Sequence, residues 1–152
     1  VGPEAEKTAL IRHCGRMYVA GANVTVPYFT VVLRKAYGLG ALAMSAGSFD
    51  ETFFTISWPT GEFAGMGLEG SIKLGRRNEL LAITDIPKRK EVYDKWVADA
   101  YAWSRALNGA MVSEFDEVID PAETRKWLAM GLSSTPPVAP REGKKRPYID
   151  TW

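Results

Sequence analysis

The sequence predicts a single α/β domain, and three observations support this class. The chain has 152 residues, a length at which one domain buries about 70% of the surface that its unfolded chain exposes. Tyr28 to Leu33 form a near-continuous apolar run of strand length, typical of a strand covered on both faces. Lys88 to Leu107 instead show an apolar stripe at helical spacing. Strand and helix patterns that alternate along one short chain indicate a mixed fold.

The composition is that of an ordinary soluble globular protein and excludes several functional classes. Hydrophobic residues make up 46% of the chain and charged residues 24%, and no apolar run approaches the length of about 20 residues that spans a bilayer. The formal net charge of +1 attracts neither nucleic acid nor an anionic membrane over long range, so we expect neither as a partner. Cys14 is the only cysteine. This excludes an internal disulfide and a thiolate metal site, and we expect the thiol to be buried.

The first third of the chain is predicted to run helix, strand, glycine turn and helix. Apolar residues recur at helical spacing from residue 3 to about Ala22, which indicates one amphipathic helix. After the predicted strand Tyr28 to Leu33, Gly38 and Gly40 punctuate a turn. Ala41 to Met44 then read as the opening of a short helix.

The middle of the chain is predicted to hold two more strands and a helix. Phe53 to Ser57 is rich in aromatic and β-branched residues, and Glu62 to Met66 is a candidate for a further short strand before Gly67. From Leu68 to about Ile83 the apolar spacing favours a helix that is interrupted near Gly75.

The last third is predicted to be helical and to end in a tail. Lys88 to Leu107 give the clearest helical pattern of the chain. Asp120, which a proline follows, resembles the cap of a helix over Ala122 to Leu132. From Ser133 the chain is rich in proline and basic residues, so we expect an extended tail with Tyr148 to Trp152 docked at its end.

The sequence contains no catalytic side-chain motif, so the backbone is the better candidate for a catalytic group. The sequence has no phosphate-binding loop, no metal-ligand cluster and no nucleophile motif with a histidine partner. His13, the only histidine, is expected to be structural. A strand that ends in Gly38-Leu39-Gly40-Ala41 at a helix N-terminus directs unpaired N–H groups outward, where the helix dipole adds positive potential. Such a turn can hold an oxyanion, although an ordinary glycine turn has the same pattern.

The turn and several other segments resemble one enzyme family. Arg34-Lys35-Ala36-Tyr37-Gly38, followed by small residues and Met44, resembles a turn in the carboxyltransferase β chain of biotin-dependent acyl-CoA carboxylases of the propionyl-CoA carboxylase type. Further segments resemble the C-terminal domain of that chain in the same order: Ile11-Arg12-His13, Thr25-Val26-Pro27, Trp58-Pro59-Thr60 with Glu62, Met66-Gly67 with Glu69-Gly70, and Val118-Ile119-Asp120-Pro121 with Thr124-Arg125. The resemblance covers about Gly2 to Leu132. It assigns residues 1–132 to a carboxyltransferase C-terminal domain cut from a longer chain, and residues 133–152 to a tail.

The resemblance implies a fold, a reaction and a site. The fold is the crotonase (ClpP/crotonase) fold, an α/β superhelix of ββα units. The reaction transfers carboxylate from N-carboxybiotin, held on a carrier domain, to the α-carbon of an acyl-CoA substrate. The catalytic groups implied are the backbone N–H groups of Leu39 and Gly40, which would stabilise negative charge on the ureido oxygen of biotin. The freed biotin would then accept the α-proton of the acyl-CoA, which explains the lack of a side-chain base.

Other residues and partners follow from the same resemblance. Gly38 and Ala41 would contact the biotin cofactor together with the two donors, and Leu42 would line the acyl pocket, where propionyl-type enzymes often have aspartate. The implied partners are a biotin carboxyl carrier, a biotin carboxylase subunit, the chain's own N-terminal domain and further copies in a dimer or hexamer. Without that N-terminal domain the piece is expected to be inactive. The implied location is the cytoplasm, or the mitochondrial matrix in a eukaryote.

Two alternatives fit the same sequence. A carboxyltransferase of a sodium-pump decarboxylase shares the fold and moves carboxylate from acyl-CoA to biotin. A non-catalytic oligomerisation domain of the same fold is the second. This second alternative is based on one difference from the family pattern: the chain has Gly38-Leu39-Gly40 where Gly-Gly-Ala is common. A positive φ at Leu39 would disturb the turn, whereas a positive φ at the flanking glycines would preserve it.

Overall fold

The computed structural model describes residues 2–144 and 146–149. Across these residues the chain forms a mixed α/β structure of short strands and helices. The helices are α1 (Pro3–Lys7), α2 (Leu10–Gly21), α3 (Gly38–Met44), α4 (Leu68–Gly75), α5 (Arg77–Ala82), α6 (Ile86–Trp103), α7 (Ala106–Met111) and α8 (Thr124–Ser134). The strands are β1 (Phe29–Val32), β2 (Lys35–Tyr37), β3 (Phe54–Ser57), β4 (Glu62–Ala64) and β5 (Glu117–Val118).

All strand pairs of the two sheets are parallel. The larger sheet has the order β1-β3-β5, with Val32 opposite Ser57 in the β1–β3 register. The smaller sheet pairs β2 with β4, with Ala36 opposite Phe63. The chain therefore passes twice through the order strand, strand, helix, first as β1, β2 and α3 and then as β3, β4 and α4. Each strand of the first pass lies beside its counterpart in the second.

Two apolar clusters form the core and hold the strands against the helices. The first consists of Val32, Ala36, Phe49, Phe63, Ala106 and Phe115, with the rings of Phe63 and Phe115 stacked. The second consists of Phe54, Ile56 and Ile119, covered by half-buried residues that include Trp58 and Trp127. All four residues of β3 are buried, because this strand lies at the centre of the larger sheet.

Several predictions from the sequence are confirmed. Strands occur within Tyr28 to Leu33, Phe53 to Ser57 and Glu62 to Met66, and the predicted interruption near Gly75 separates α4 from α5. Asp120 caps a short 3₁₀ turn before α8, since its carboxylate accepts a hydrogen bond of 2.8 Å from the N–H of Ala122.

Two helix predictions were wrong in extent. The first helix is divided at Thr8 and Ala9, where Ala9 adopts a left-handed φ of 59°. The helix predicted to reach Leu107 ends at Trp103. Beyond it the chain pairs with β4 instead: Phe63 N–H donates to the Ser104 carbonyl at 2.7 Å, and Ala106 N–H donates to the Gly61 carbonyl at 2.9 Å. Helical periodicity does not predict this end of the helix, because the Ser104 carbonyl and the Ala106 N–H form hydrogen bonds with residues that are distant in the sequence.

The segment before the glycines also differs from the prediction. Lys35 to Tyr37 form the separate strand β2, and the helix begins at Gly38 rather than at Ala41. The residues predicted to be a glycine turn are therefore the first turn of α3. Three residues are too short a run for a strand pattern to appear in the sequence, and only the pairing with β4 defines β2.

The tail and the cysteine also depart from expectation. Helix α8 continues to Ser134, and the tail then passes close to the start of the larger sheet, where the Arg141 guanidinium donates to the Asn23 carbonyl at 2.9 Å. The expected docking of Tyr148 to Trp152 involves residues 150–152, which lie outside the described residues. Cys14 is exposed on α2, so the prediction of a buried thiol was wrong.

Two glycine-to-alanine changes test the packing of α8 on the sheet. A methyl group at Gly131 would lie 2.6 Å from a ring carbon of Phe54 and 2.7 Å from one of Phe29. We expect Gly131→Ala to lower the free energy of unfolding by about 1–3 kcal/mol in chemical denaturation, because the added methyl group would overlap both rings. Gly70→Ala in α4 is the control, since its methyl would meet only Met66 at 3.5 Å. An equal loss in both variants would contradict this packing.

Candidate functional site

Gly38 has a backbone conformation and a close contact that only glycine can accommodate at the predicted site. Its φ is +61°, a left-handed value that L side chains rarely adopt. A Cβ at this position would also lie 2.8 Å from the carbonyl oxygen of Gly65, which follows β4. Leu39 and Gly40 are not among the residues with positive φ. Gly38 therefore carries the conformational demand of the turn, and Leu39 sits in ordinary helical geometry.

The start of α3 offers backbone donors at the surface. The first N–H groups of an α-helix have no partner inside the helix, and the side chain of Tyr37, which precedes α3, forms no cap hydrogen bond. The Leu39 side chain is 66% exposed. Nothing lies within 4 Å of the position that a Cβ of Gly40 would occupy. A ligand can therefore approach the main chain closely at Gly40.

A small cavity adjoins this turn. Its volume is about 240 Å³, and its lining includes Gly38, Leu39, Ala41 and Leu42 together with Phe49. Ala41 and Leu42 are half-buried and also pack on the first core cluster. The structure thus brings four of the five predicted site residues to one cavity. Gly40 is outside this lining and is exposed.

Two tyrosine–carboxylate pairs support the elements around the turn. The Tyr37 hydroxyl donates to Glu62 Oε2 at 2.6 Å, which adds a side-chain link to the β2–β4 pair. The Tyr101 hydroxyl donates to Glu69 Oε1 at 2.7 Å, which ties α6 to the first turn of α4. Burial, and then the bond to Glu62, raises the pKa of Tyr37. The bond from Tyr101 lowers the pKa of Glu69, and the same bond raises the pKa of Tyr101. At neutral pH the phenols therefore keep their protons.

Helix α3 is also held by tyrosines at both of its ends. The Tyr18 hydroxyl, on α2, donates to the Leu39 carbonyl at 2.6 Å. The Tyr28 hydroxyl, just before β1, donates to the Met44 carbonyl at 2.7 Å. The sequence did not indicate either contact, because the partners are 21 and 16 residues apart along the chain and belong to no local motif.

Trp58, which belongs to one of the segments that resemble the family, has structural surroundings. Trp58 packs on the second core cluster and its indole N–H donates to Thr124 Oγ1 at 2.9 Å. Among residues 2–144 and 146–149 there is no group of three acidic, histidine or cysteine side chains that could hold a metal ion. In the same residues no helix is long and apolar enough to cross a membrane.

Comparison with known proteins defines the class of this domain. Solved structures similar to it include a long-chain acyl-CoA carboxylase, a transcarboxylase 12S structure and the beta subunit of a geranyl-CoA carboxylase. The chain belongs to the carboxyl transferase domain family, because the model of this family matches residues 1–138. The resemblance seen in the sequence is thereby confirmed.

Individual relatives cover most of this chain. It is 36% identical over 132 residues to the methylmalonyl-CoA carboxyltransferase 12S subunit of Propionibacterium freudenreichii subsp. shermanii, covering 86% of this chain and 24% of that protein. It is 35% identical over 135 residues to the carboxyltransferase subunit of propionyl-CoA carboxylase from Haloferax mediterranei, covering 86% of this chain and 25% of that protein. The chain thus spans about a quarter of the length of these curated relatives.

Two solved structures give the same result in three dimensions. A single-chain, multi-domain long-chain acyl-CoA carboxylase has 49% sequence identity and a TM-score of 0.74, with 86% of this chain and 12% of that chain covered. The transcarboxylase 12S subunit, described as a hexamer assembly with methylmalonyl-coenzyme A and methylmalonic acid bound, has 31% identity and a TM-score of 0.77, with 97% of this chain and 29% of that chain covered.

The geometry of the turn gives a direct test of which glycine is required. Gly38→Ala combines a left-handed φ with the 2.8 Å approach to the Gly65 carbonyl, so we expect it to lower the free energy of unfolding by at least about 1–2 kcal/mol. Gly40→Ala has open space around it and should leave stability unchanged or raise it by up to about 1 kcal/mol. Denaturant titration of the two variants checks this order. A more damaging Gly40→Ala would refute the assignment.

Proposed function

We propose that this chain is part of the C-terminal half of a biotin-dependent acyl-CoA carboxyltransferase, which moves carboxylate from N-carboxybiotin to the α-carbon of an acyl-CoA. The observation that carries the proposal is the family match over residues 1–138, together with a turn whose donors are open to a ligand. Within the chain we propose a catalytic domain and a tail, with the boundary that the sequence placed between residues 132 and 133 moved to the end of α8 at Ser134.

We propose the crotonase superhelix as the full fold of this domain. Its support is the repeated order of strand, strand and helix, in which β1 lies parallel to β3 and β2 lies parallel to β4. Stacked units of this kind bury one another's apolar faces, as in other repeat architectures.

The proposed biotin site consists of the N–H groups of Leu39 and Gly40, with Gly38 and Ala41 shaping the turn. The fit to biotin rests on two observations: the absence of any side chain at Gly40 leaves room for a ring, and helix N-terminal amides suit an oxygen that gains negative charge. Biotin supplies the carboxyl group to be transferred. The role of the chain is to hold the ureido oxygen in place and to stabilise its charge. The carboxyl carrier, the biotin carboxylase subunit and the chain's own N-terminal domain are the proposed partners.

The helical geometry of Leu39 bears on the alternatives. The alternative of a non-catalytic oligomerisation domain required a strained backbone at Leu39. The positive φ lies at Gly38 instead, where glycine adopts it without strain. This favours a working turn. A sodium-pump decarboxylase carboxyltransferase has the same chemistry in reverse, and co-purification separates the two: a biotin carboxylase partner supports carboxylation, and a membrane decarboxylase partner supports the reverse.

Assembly into a dimer or hexamer is part of the proposal. Large apolar side chains are exposed on α6 and α7, among them Trp103 at 73% and Met111 at 82%. Faces of this kind are typical of protein–protein contacts. The related 12S subunit is described as a hexamer assembly.

We further propose a long-chain acyl-CoA as the substrate. Leu42 makes the acyl side of the turn apolar, and the cavity that it lines with Leu39 and Phe49 offers apolar surface to a hydrocarbon chain. The structural neighbour at 49% identity is a long-chain acyl-CoA carboxylase.

The oxyanion role predicts the effect of removing one donor. In the complete carboxyltransferase, Gly40→Pro deletes the Gly40 N–H in the first turn of α3, where this N–H has no partner inside the helix. We expect kcat to fall by about tenfold to a thousandfold. Steady-state carboxyl transfer with biocytin as the biotin substrate measures the loss, and Gly40→Ala, which retains the N–H but adds a methyl group, should lose less activity than Gly40→Pro. Normal turnover of a folded Gly40→Pro enzyme would rule out this donor.

The acyl proposal predicts a change in specificity at Leu42. Leu42→Asp places a charge beside the acyl chain, so we expect the ratio of kcat/KM for palmitoyl-CoA over propionyl-CoA to fall by at least about tenfold. Leu42→Met, similar in volume and apolar, should preserve the ratio. If both variants have the same ratio as the unaltered enzyme, Leu42 does not face the acyl chain.

A further inference from the structure

The hydrogen bond from Tyr18 reaches the same peptide unit that carries a proposed donor. The Tyr18 hydroxyl donates to the Leu39 carbonyl at 2.6 Å. That carbonyl and the N–H of Gly40 belong to one planar amide. A hydrogen bond accepted by the carbonyl oxygen draws electron density toward it, and the N–H of the same amide becomes a better donor.

Close packing of α2 on α3 gives Tyr18 this position. A Cβ on Gly21 would lie 2.8 Å from Cα of Ala46, which follows α3. Gly21 lies one helical turn after Tyr18 on the same helix, so the two residues share a face of α2. The missing side chain at Gly21 therefore allows the approach that brings the phenol to Leu39.

Helix α3 needs external support because it is short. It has seven residues, and a helix of that length is unstable in isolation. Tyr28 provides a second hydrogen bond of nearly equal length at the other end, to the Met44 carbonyl at 2.7 Å. The amide that Tyr28 polarises carries the N–H of Ser45, far from the proposed donors. The two tyrosines thus make the same kind of bond to the same helix but act on different peptide units.

We propose that Tyr18 is a positioning residue of the reaction, which fixes the Leu39–Gly40 peptide and strengthens the Gly40 N–H as a donor to the biotin oxyanion. This inference rests on the proposed function, because it requires that the Gly40 amide bind biotin. Tyr18 itself does not contact the reacting atoms. Its effect is transmitted through the peptide bond and increases as charge develops on the ureido oxygen.

The test compares Tyr18→Phe with Tyr28→Phe in the complete carboxyltransferase. Each variant removes one hydroxyl from an end of α3 and keeps the ring. With biocytin as probe we expect Tyr18→Phe to lower kcat by about three- to tenfold, the loss typical of one neutral hydrogen bond, with the KM for acyl-CoA unchanged. Tyr28→Phe should retain the kcat of the unaltered enzyme. Thermal unfolding of both variants should show similar small decreases in Tm.

The outcomes separate this inference from the proposed function. Equal losses of kcat in both tyrosine variants would show that Tyr18 only stabilises α3 and would contradict the inference. An unchanged kcat in Tyr18→Phe would also contradict it. If Gly40→Pro is inactive while Tyr18→Phe is normal, the oxyanion site stands and only this inference fails. If Gly40→Pro turns over normally, both fail.

Discussion

The approach of the Gly38 backbone to the Gly65 carbonyl is the constraint on which the proposed site depends. It brings the end of β2 against the end of β4 so closely that a single methyl group would not fit. The left-handed φ at the same residue turns the chain from strand into helix within one step. The direction of α3 is thereby fixed by backbone sterics, and the first amides of the helix emerge beside the cavity lined by Leu39 and Leu42.

Both ends of α3 are held by phenolic hydroxyls. Tyr18 and Tyr28 each donate a hydrogen bond of 2.6–2.7 Å to a backbone carbonyl of this helix, from different parts of the chain. Hydroxyl groups orient a short helix without adding net charge next to its N-terminus. This leaves the positive potential of the helix end available to an anionic group. It is consistent with a site in which the backbone, not a side chain, performs the chemistry.

Much of the fold was predictable because apolar periodicity reports burial directly. The strand at Phe54–Ser57, the break after Gly75 and the cap at Asp120 all appear in the sequence as local patterns. The end of α6 at Trp103 does not, since it depends on hydrogen bonds that the Ser104 carbonyl accepts from Phe63 and that the Ala106 N–H donates to Gly61. Strand β2 was not predicted because it also depends on a distant partner: its three residues form a strand only through their pairing with β4.

The sequence by itself determined the family of this chain and the five residues proposed for its site, because a contiguous motif survives in the order of residues. It left open whether Leu39 distorts the turn. Only the tertiary structure assigned the left-handed conformation to Gly38, and only it brought Tyr18 and Tyr28 to the two ends of α3. The physical reason is that φ at one residue and contacts between distant residues are set by packing, which the local pattern of a sequence does not contain.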